Sequence, residues 1–511
     1  MSKTLRHALY ALGTGTGVLL GGSYWLYSLQ AEEKPVQRPA PPSGDLSGGD
    51  YTLIPGGSAV VGGETGGAAG SALDPPESKP DKSISPVKVT NDIAKTDFAV
   101  KPKPLSPAVE KGLEYLVKSQ RPDGGWNQGG GWRQNLGGGR IEGPNVEDPS
   151  DVGNTAFAML ALIRAGNTPT EGKYRESVQR GLEFILKHVE KADSDSLYVT
   201  DVRGTQLQSK IGRYVDTFMA NLVLAELRGK SGRWEPQVVA ALEKTMTKIV
   251  RHQGPDGNFA GNIGWASTLS IGIANKSVAL ARERGAQVDE VVLKRIVAQA
   301  KTAADSAGRT PSVSVGLGGA RAAPASAAPT DAGIALYSAS QGAGNLQGVV
   351  NNLRLDAAKA RELLRKENAP SEARQAAERK LAELDRLERE NAAIQADLVR
   401  NARDQRFLAG FGNNGGEEFL SFLNISETLV LKGGKEWEEW DTRMTKGLEA
   451  AQDRDGSWQG HHCITGRTFC TAAALLVLMA DRTPFPVEVI AAEREKRSFS
   501  PSQNQTPQSD K

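Results

Sequence analysis

Cysteine is scarce in this chain of 511 residues: Cys463 and Cys470 are the only two, too few for a disulfide-built scaffold or an all-cysteine zinc site. An excess of one charge is missing as well. The 62 lysines and arginines nearly balance the 60 aspartates and glutamates, and the net charge of +2 supplies no field to draw in polyanions, so no nucleic-acid partner is expected. No Gly-x-Ser-x-Gly elbow marks a hydrolase nucleophile, and His188 and His252 fall on surface-type helices. The glycine-rich residues 124–139 lack the Gly-Lys-Ser/Thr of a phosphate loop. With Trp126, Trp132, Arg133 and Arg140 they read instead as a flexible rim. What is present is a globular composition, 39% hydrophobic with 57 glycines, in a chain long enough for about three domains of ~150 residues.

Residues 8–30 carry no charge, follow Lys3 and Arg6, and are long enough to cross a bilayer. A cleaved signal peptide needs small residues just before the cut, and Leu29 ahead of Ala31 fits that poorly. Residues 1–31 are therefore expected to form an uncleaved N-terminal membrane anchor, with the signal peptide as the alternative. The anchor predicts a single pass through an inner (cytoplasmic) membrane, with the folded part on the periplasmic or extracellular side. Residues 32–104, rich in Pro, Gly, Ser and Ala, read as a disordered tether, and residues 483–511 as a disordered tail.

Between them the chain repeats. Lys111-Gly-Leu-Glu-Tyr-Leu-Val117 returns as Arg180-Gly-Leu-Glu-Phe-Ile-Leu186 and, truncated, as Lys446-Gly-Leu-Glu449. A second signature sets Gln, Asp-Gly and an aromatic at one fixed spacing in three places: Gln120, Asp123 and Trp126; Gln253, Asp256 and Phe259; Gln452, Asp455 and Trp458. Each Gln stands at the end of an amphipathic helix, where its amide can bond orphan carbonyls, while Asp-Gly reverses the chain and the aromatic pins the turn to the next helix. Small, apolar helices follow, such as those around residues 154–163, 217–225 and 471–479. The alternation gives outer helices near 106–120, 172–192, 235–252, 289–304, 349–402 and 436–452. Inner ones fall near 151–165, 214–228, 265–283, 330–342, 416–432 and 467–481. Six such pairs suggest closure into a ring. In the fifth outer element, Val350, Leu353, Ala357, Ala360 and Leu364 step by three and four, as do Leu384, Leu387, Asn391, Ile394 and Leu398, around a turn at Pro370. Residues 349–402 thus read as an antiparallel two-helix arm and a protein-partner surface, with a kinked outer helix as the alternative.

The signature at Gln120, Gly125 and Trp126, and its copy at Gln452–Trp458 followed by residues 466–476, resembles the repeat of squalene and hopene cyclases and of protein prenyltransferase β-subunits. The resemblance covers residues 105–482 and implies an all-α fold, an (α/α)6 toroid of concentric helices around a cavity that can take an apolar ligand. It implies fold more than activity. The cyclases' Asp-x-Asp-Asp acid is missing, and the zinc prenyltransferases' Asp-x-Cys pair does not occur.

Acids at the starts of inner helices, Asp151, Asp216, Asp331 and Glu418, read as helix caps or as a ring around a cavity mouth, with Tyr214 and Trp265 as aromatic walls. Asp216 and Asp331 are the catalytic candidates if the chain is an enzyme. His461, His462, Cys463 and Cys470 offer metal donors; a Cys463–Cys470 disulfide and two unlinked thiols are the alternatives. No cofactor is expected. The preferred expectation is a membrane-anchored binding or scaffolding module, and the rival is an isoprenoid-processing enzyme of the cyclase or prenyltransferase type.

Overall fold

Ser106 starts the first long helix: its hydroxyl accepts from the Val109 N–H, and Pro107 takes a position where no amide donor is needed. In this computed structural model, residues 77–134, 140–142, 148–308, 334–408 and 415–499 are described, and all of them fall in one compact unit. Among the described residues the chain is all-α in character, with fifteen α-helices and four three-residue strands. The helices are α1 (Pro107–Ser119), α2 (Val152–Arg164), α3 (Arg175–Lys191), α4 (Gln206–Ile211), α5 (Val215–Leu227), α6 (Glu235–His252) and α7 (Ser267–Glu283). There follow α8 (Glu290–Gly308), α9 (Ala335–Arg365), α10 (Ser371–Asn401), α11 (Gln405–Leu408), α12 (Glu418–Lys432), α13 (Lys435–Ala451), α14 (Arg467–Leu478) and α15 (Val487–Phe499). Strand β1 (Thr96–Phe98) pairs antiparallel with β4 (Pro484–Pro486), and β2 (Trp132–Gln134) with β3 (Arg140–Glu142).

Helices α2, α5 and α14 are buried on every side, as their small apolar sequences require. Together with α7, α9 and α12 they pack in sequence: α2 on α5, α5 on α7, α7 on α9, α9 on α12, α12 on α14, and α14 back on α2. The amphipathic α1, α3, α6, α8, α10 and α13 alternate with them in sequence and pack against them.

The repeated signature is what joins one pair to the next. At the first copy, Gln120 Nε2 donates to Gly124 O in its own turn and to Ser177 O of α3. Trp126 Nε1 donates to Leu116 O, and the Trp126 N–H to Thr155 Oγ1 of α2. The last copy repeats this bond for bond, except that Gln452 Nε2 reaches Ala108 O of α1, tying the sixth pair to the first. The Asp-Gly glycines Gly124 and Gly456 adopt φ values of +88° and +90°, and each sits where a Cβ would strike a carbonyl of the next outer helix, Arg180 O or Lys111 O. The Lys-Gly-Leu-Glu glycine completes the joint: a Cβ on Gly112 would stand 2.9 Å from Trp458 Cζ3, and one on Gly181 would stand 3.1 Å from Trp126 Cζ3. Two repeats that look independent in sequence are the two halves of one contact. The truncated copy differs, because Gly447 has open space around it.

Four expectations need correction. First, the arm at 349–402 is no insert standing apart from the inner helix at 330–342: α9 is one continuous helix whose first half is an inner helix and whose second half pairs with α10. Its glycines pack rather than break it, Gly342 lying against Ala300 O and Gly348 against Ala279. The heptad residues Leu384, Leu387 and Leu398 are buried, and Asn391 Nδ2 donates to Gln347 Oε1 at 2.8 Å, which fixes the register of the pair. Second, residues 77–104 are ordered against the core through Ile84, Val87 and Ala99. Third, residues 483–499 are strand and helix, with Val489 and Ile490 buried. These last two segments gain their order from pairing with each other across β1 and β4, a contact that local composition does not reveal.

The fourth correction concerns the membrane. Residues 8–30 lie outside the described residues, and no helix among the described residues is long and apolar enough to cross a membrane. The transmembrane anchor, the membrane partner and the single-pass inner-membrane location expected from residues 1–31 are accordingly withdrawn.

Gly112→Ala should lower the stability of the chain by about 1–3 kcal/mol through crowding of Trp458 and Leu475. Gly447→Ala, in open space, should raise it by ~0.5–1 kcal/mol. Urea unfolding of the two variants checks both signs.

Candidate functional site

The N-terminal ends of the inner helices gather two clusters of buried titratable groups. Asp151 is the N-cap of α2, accepting from the backbone and the side-chain amide of Asn154 at 2.7 and 2.8 Å. Asp216, in the first turn of α5, caps the same neighbouring helix: its Oδ1 accepts from the Gly153 N–H at 2.9 Å, and its Oδ2 from Gln208 Nε2 at 2.8 Å. Their carboxylates converge over Gly153, whose missing Cβ would stand 3.4 Å from Asp151 Oδ1 and 3.3 Å from Asp216 Oδ1. Burial, and then the charge of Asp216, push Asp151 up to about 8. Burial raises Asp216 too, against the opposing pull of the bonds from Gln208 and Gly153. Burial and mutual repulsion thus favour the protonated form in this pair.

The second cluster joins the start of α12 to the loop before α14. Glu417 and Glu418 are both fully buried. The Ile464 N–H donates to Glu417 Oε2 at 3.4 Å. One donor atom from each of Glu417, His462 and Cys463 lies within 4.8 Å of the others. Tyr337 of α9 stands beside them, its hydroxyl pushed far up by burial and then by the two glutamates.

Helix α4 links the clusters. Thr205 caps it by accepting from the Gln208 N–H at 3.2 Å, and Gln206, Leu207, Gln208 and Ile211 are buried. Gln208 holds Asp216, while Gln206 Oε1 accepts from the Thr465 and Gly466 N–H groups at 3.0 and 2.8 Å. The described part of the glycine-rich stretch, residues 124–134, packs here rather than forming a flexible rim, and residues 135–139 lie outside the described residues. Gly129, Gly130 and Gly131 all adopt positive φ, Gly131 lies against Thr465, and the buried Trp132 donates through Nε1 to Cys463 O at 2.7 Å.

Other sequence candidates are placed as follows. Tyr214 is buried, pushed up to about 12 by burial, with its hydroxyl on Ala260 O and its ring against Tyr198. Trp265 is 37% exposed, its ring 5.7 Å from the Lys210 ammonium. Asp331 lies outside the described residues. Gln253, Asp256 and Phe259 form a looser version of the clasp, in which Gln253 Nε2 reaches Asn275 Oδ1 at 3.4 Å. No disulfide joins Cys463 to Cys470, and the Cys470 thiol lies against Ile464 O at 3.6 Å. His461 stacks edgewise on His462 at 5.9 Å and does not join the donor cluster. Glu417 and α4 were not anticipated. Thr205-x-x-Gln208 is a capping-box pattern that would have marked the helix, and Glu417 sits one residue before an acid that was already singled out.

No protein-family model matches the chain. A stretch of 82 residues is 34% identical to lanosterol synthase from Candida albicans, covering 16% of this chain and only 10% of that protein's length. The match supports a distant, family-level likeness to the squalene cyclases and nothing finer.

A carboxyl whose folded-state pKa is raised makes the folded state bind more protons than the unfolded one, so its contribution falls as pH rises from about 4 to about 8. Asp151→Asn keeps the cap and removes the titration. It should flatten the decline in stability over that range, by at most ~1.4 kcal/mol per pH unit. Urea midpoints at several pH values read the effect.

Proposed function

We propose that residues 105–482 form an α/α toroid of the prenyltransferase and squalene cyclase repeat type that serves as a binding or scaffolding module. The observation that carries this reading is charge crossing the circuit of inner helices. Arg164 of α2 pairs with Glu226 of α5 at 3.4 Å and reaches Glu427 of α12 at 4.0 Å. Lys276 of α7 pairs with the same Glu427. Neither α2 nor α7 neighbours α12 in the circuit, so these ion pairs link helices that lie one helix apart in it. Burial alone would raise Glu226, but Arg164 and Lys230 hold it below the usual carboxylate range. A chamber that folds a long isoprenoid needs apolar and aromatic walls. Ion pairs at this level make the space between these helices polar, which favours a binding role over the folding of a long isoprenoid.

The contact surface in this reading is the α9–α10 pair, whose outward face on α10 carries the exposed residues Arg379, Lys380, Asp385 and Arg389. The rival reading, an isoprenoid-processing enzyme, is favoured by the two buried carboxyls, Asp151 and Asp216, both raised by burial, and by the likeness to lanosterol synthase.

Incubation of the purified chain with squalene and with prenyl diphosphates should give no product by mass spectrometry. A product that disappears in Asp216→Asn would establish the enzyme instead. Replacing Arg379, Lys380 and Arg389 with Glu should leave the thermal midpoint within a few degrees and abolish co-purification of the native partner.

A further inference from the structure

We infer that Glu417, His462 and Cys463 form a three-donor site for a thiophilic divalent metal ion such as Zn2+, with a coordination position left for water or a ligand. The inference stands apart from the binding role proposed above. Three kinds of donor are involved, a carboxylate oxygen, an imidazole nitrogen and a thiol sulfur, and their atoms lie within 4.8 Å of one another. A tetrahedral Zn2+ with bonds of about 2.0–2.3 Å sets its donors roughly 3.6 Å apart, so modest side-chain rotation closes the set around an ion. A thiolate and an imidazole favour Zn2+ over Mg2+ or Ca2+, which prefer all-oxygen shells.

One feature points to a cation, and the loop's backbone shows that the donors are held in place. Glu417 is 0% exposed, and its Oε1 atom meets no donor in good hydrogen-bond geometry, with the neutral Tyr337 hydroxyl standing beside the carboxylate. A buried carboxylate oxygen left in that state is costly unless a positive charge meets it. In addition, Cys463 is the one non-glycine residue with positive φ among those described, at +57°. Strain of this kind persists where surrounding contacts impose it. Trp132 holds the Cys463 carbonyl, and Gln206 holds the next two amides but one, at Thr465 and Gly466, so the loop is fixed from both sides before any ion arrives. Gly415 is part of the same construction: a Cβ there would stand 2.7 Å from His462 Cε1, so glycine makes room for the imidazole. The set differs from the Asp-x-Cys pair and distant histidine of the zinc prenyltransferases. Of the four donors considered from sequence it keeps His462 and Cys463, drops His461 and Cys470, and adds Glu417.

Co2+ titration of the reduced, chelator-treated full chain tests the site, because a Co2+–thiolate bond produces a near-ultraviolet charge-transfer band. One equivalent of Co2+ should saturate the band, and Zn2+ should displace it. Cys463→Gly removes the thiol at a backbone conformation that glycine adopts freely, so this variant should fold and lose the band. Glu417→Gln should keep the band but weaken Co2+ binding by about 100-fold, a loss at the level seen when a metal site loses supporting groups. Absence of a thiolate band at saturating Co2+, or a band unchanged in Cys463→Gly, would overturn the assignment.

Discussion

Two of the junctions between helix pairs, including the one that ties the last pair to the first, depend on one joint, in which a glutamine amide, an Asp-Gly reversal and an indole from one helix pair close on the outer helix of the next. The joint works because it satisfies donors and fills space at once. The glutamine takes up a carbonyl in its own turn and another on the neighbouring helix, while the indole N–H bonds a carbonyl near the end of its own helix. The ring then lies where a neighbouring glycine has left a Cβ-sized gap. Few residue types meet all of these demands together, which is why the same letters recur at the same spacing.

That economy also explains what could be read from the sequence. Helix pairs announced themselves through amphipathic and apolar alternation, and the heptads of α9 and α10 correctly put Leu384, Leu387 and Asn391 on a shared buried face. The break between the inner helix and the arm was misread, because glycines that let α9 approach α8 and α7 look in sequence like glycines that end a helix. Residues 96–98 and 484–486 were assigned to disordered ends for a related reason: a pairing between segments so far apart leaves no local signal. At the acid cluster, capping was legible for Asp151, but not that Asp216 would cap the same helix from a different element.

Charges inside apolar helices were the signal passed over. Glu226, Lys276 and Glu427 interrupt segments that are otherwise small and hydrophobic, and an unpaired charge in such a place is too costly to be incidental. Their partners lie on other helices of the circuit, so only the tertiary arrangement shows that they meet. Frame and lining are separable properties of a fold, so a distant likeness in sequence does not carry over to how the interior is lined.

The bond from Gln452 to Ala108, together with the strand pair at residues 96–98 and 484–486, brings the two extremities of the helical unit into direct contact. Within the described residues, a helical unit joined to itself in this manner has its first and last helix pairs held by each other. Its backbone can in principle be opened at a surface turn and resealed where the extremities meet, a circular permutation that preserves every joint but the one cut.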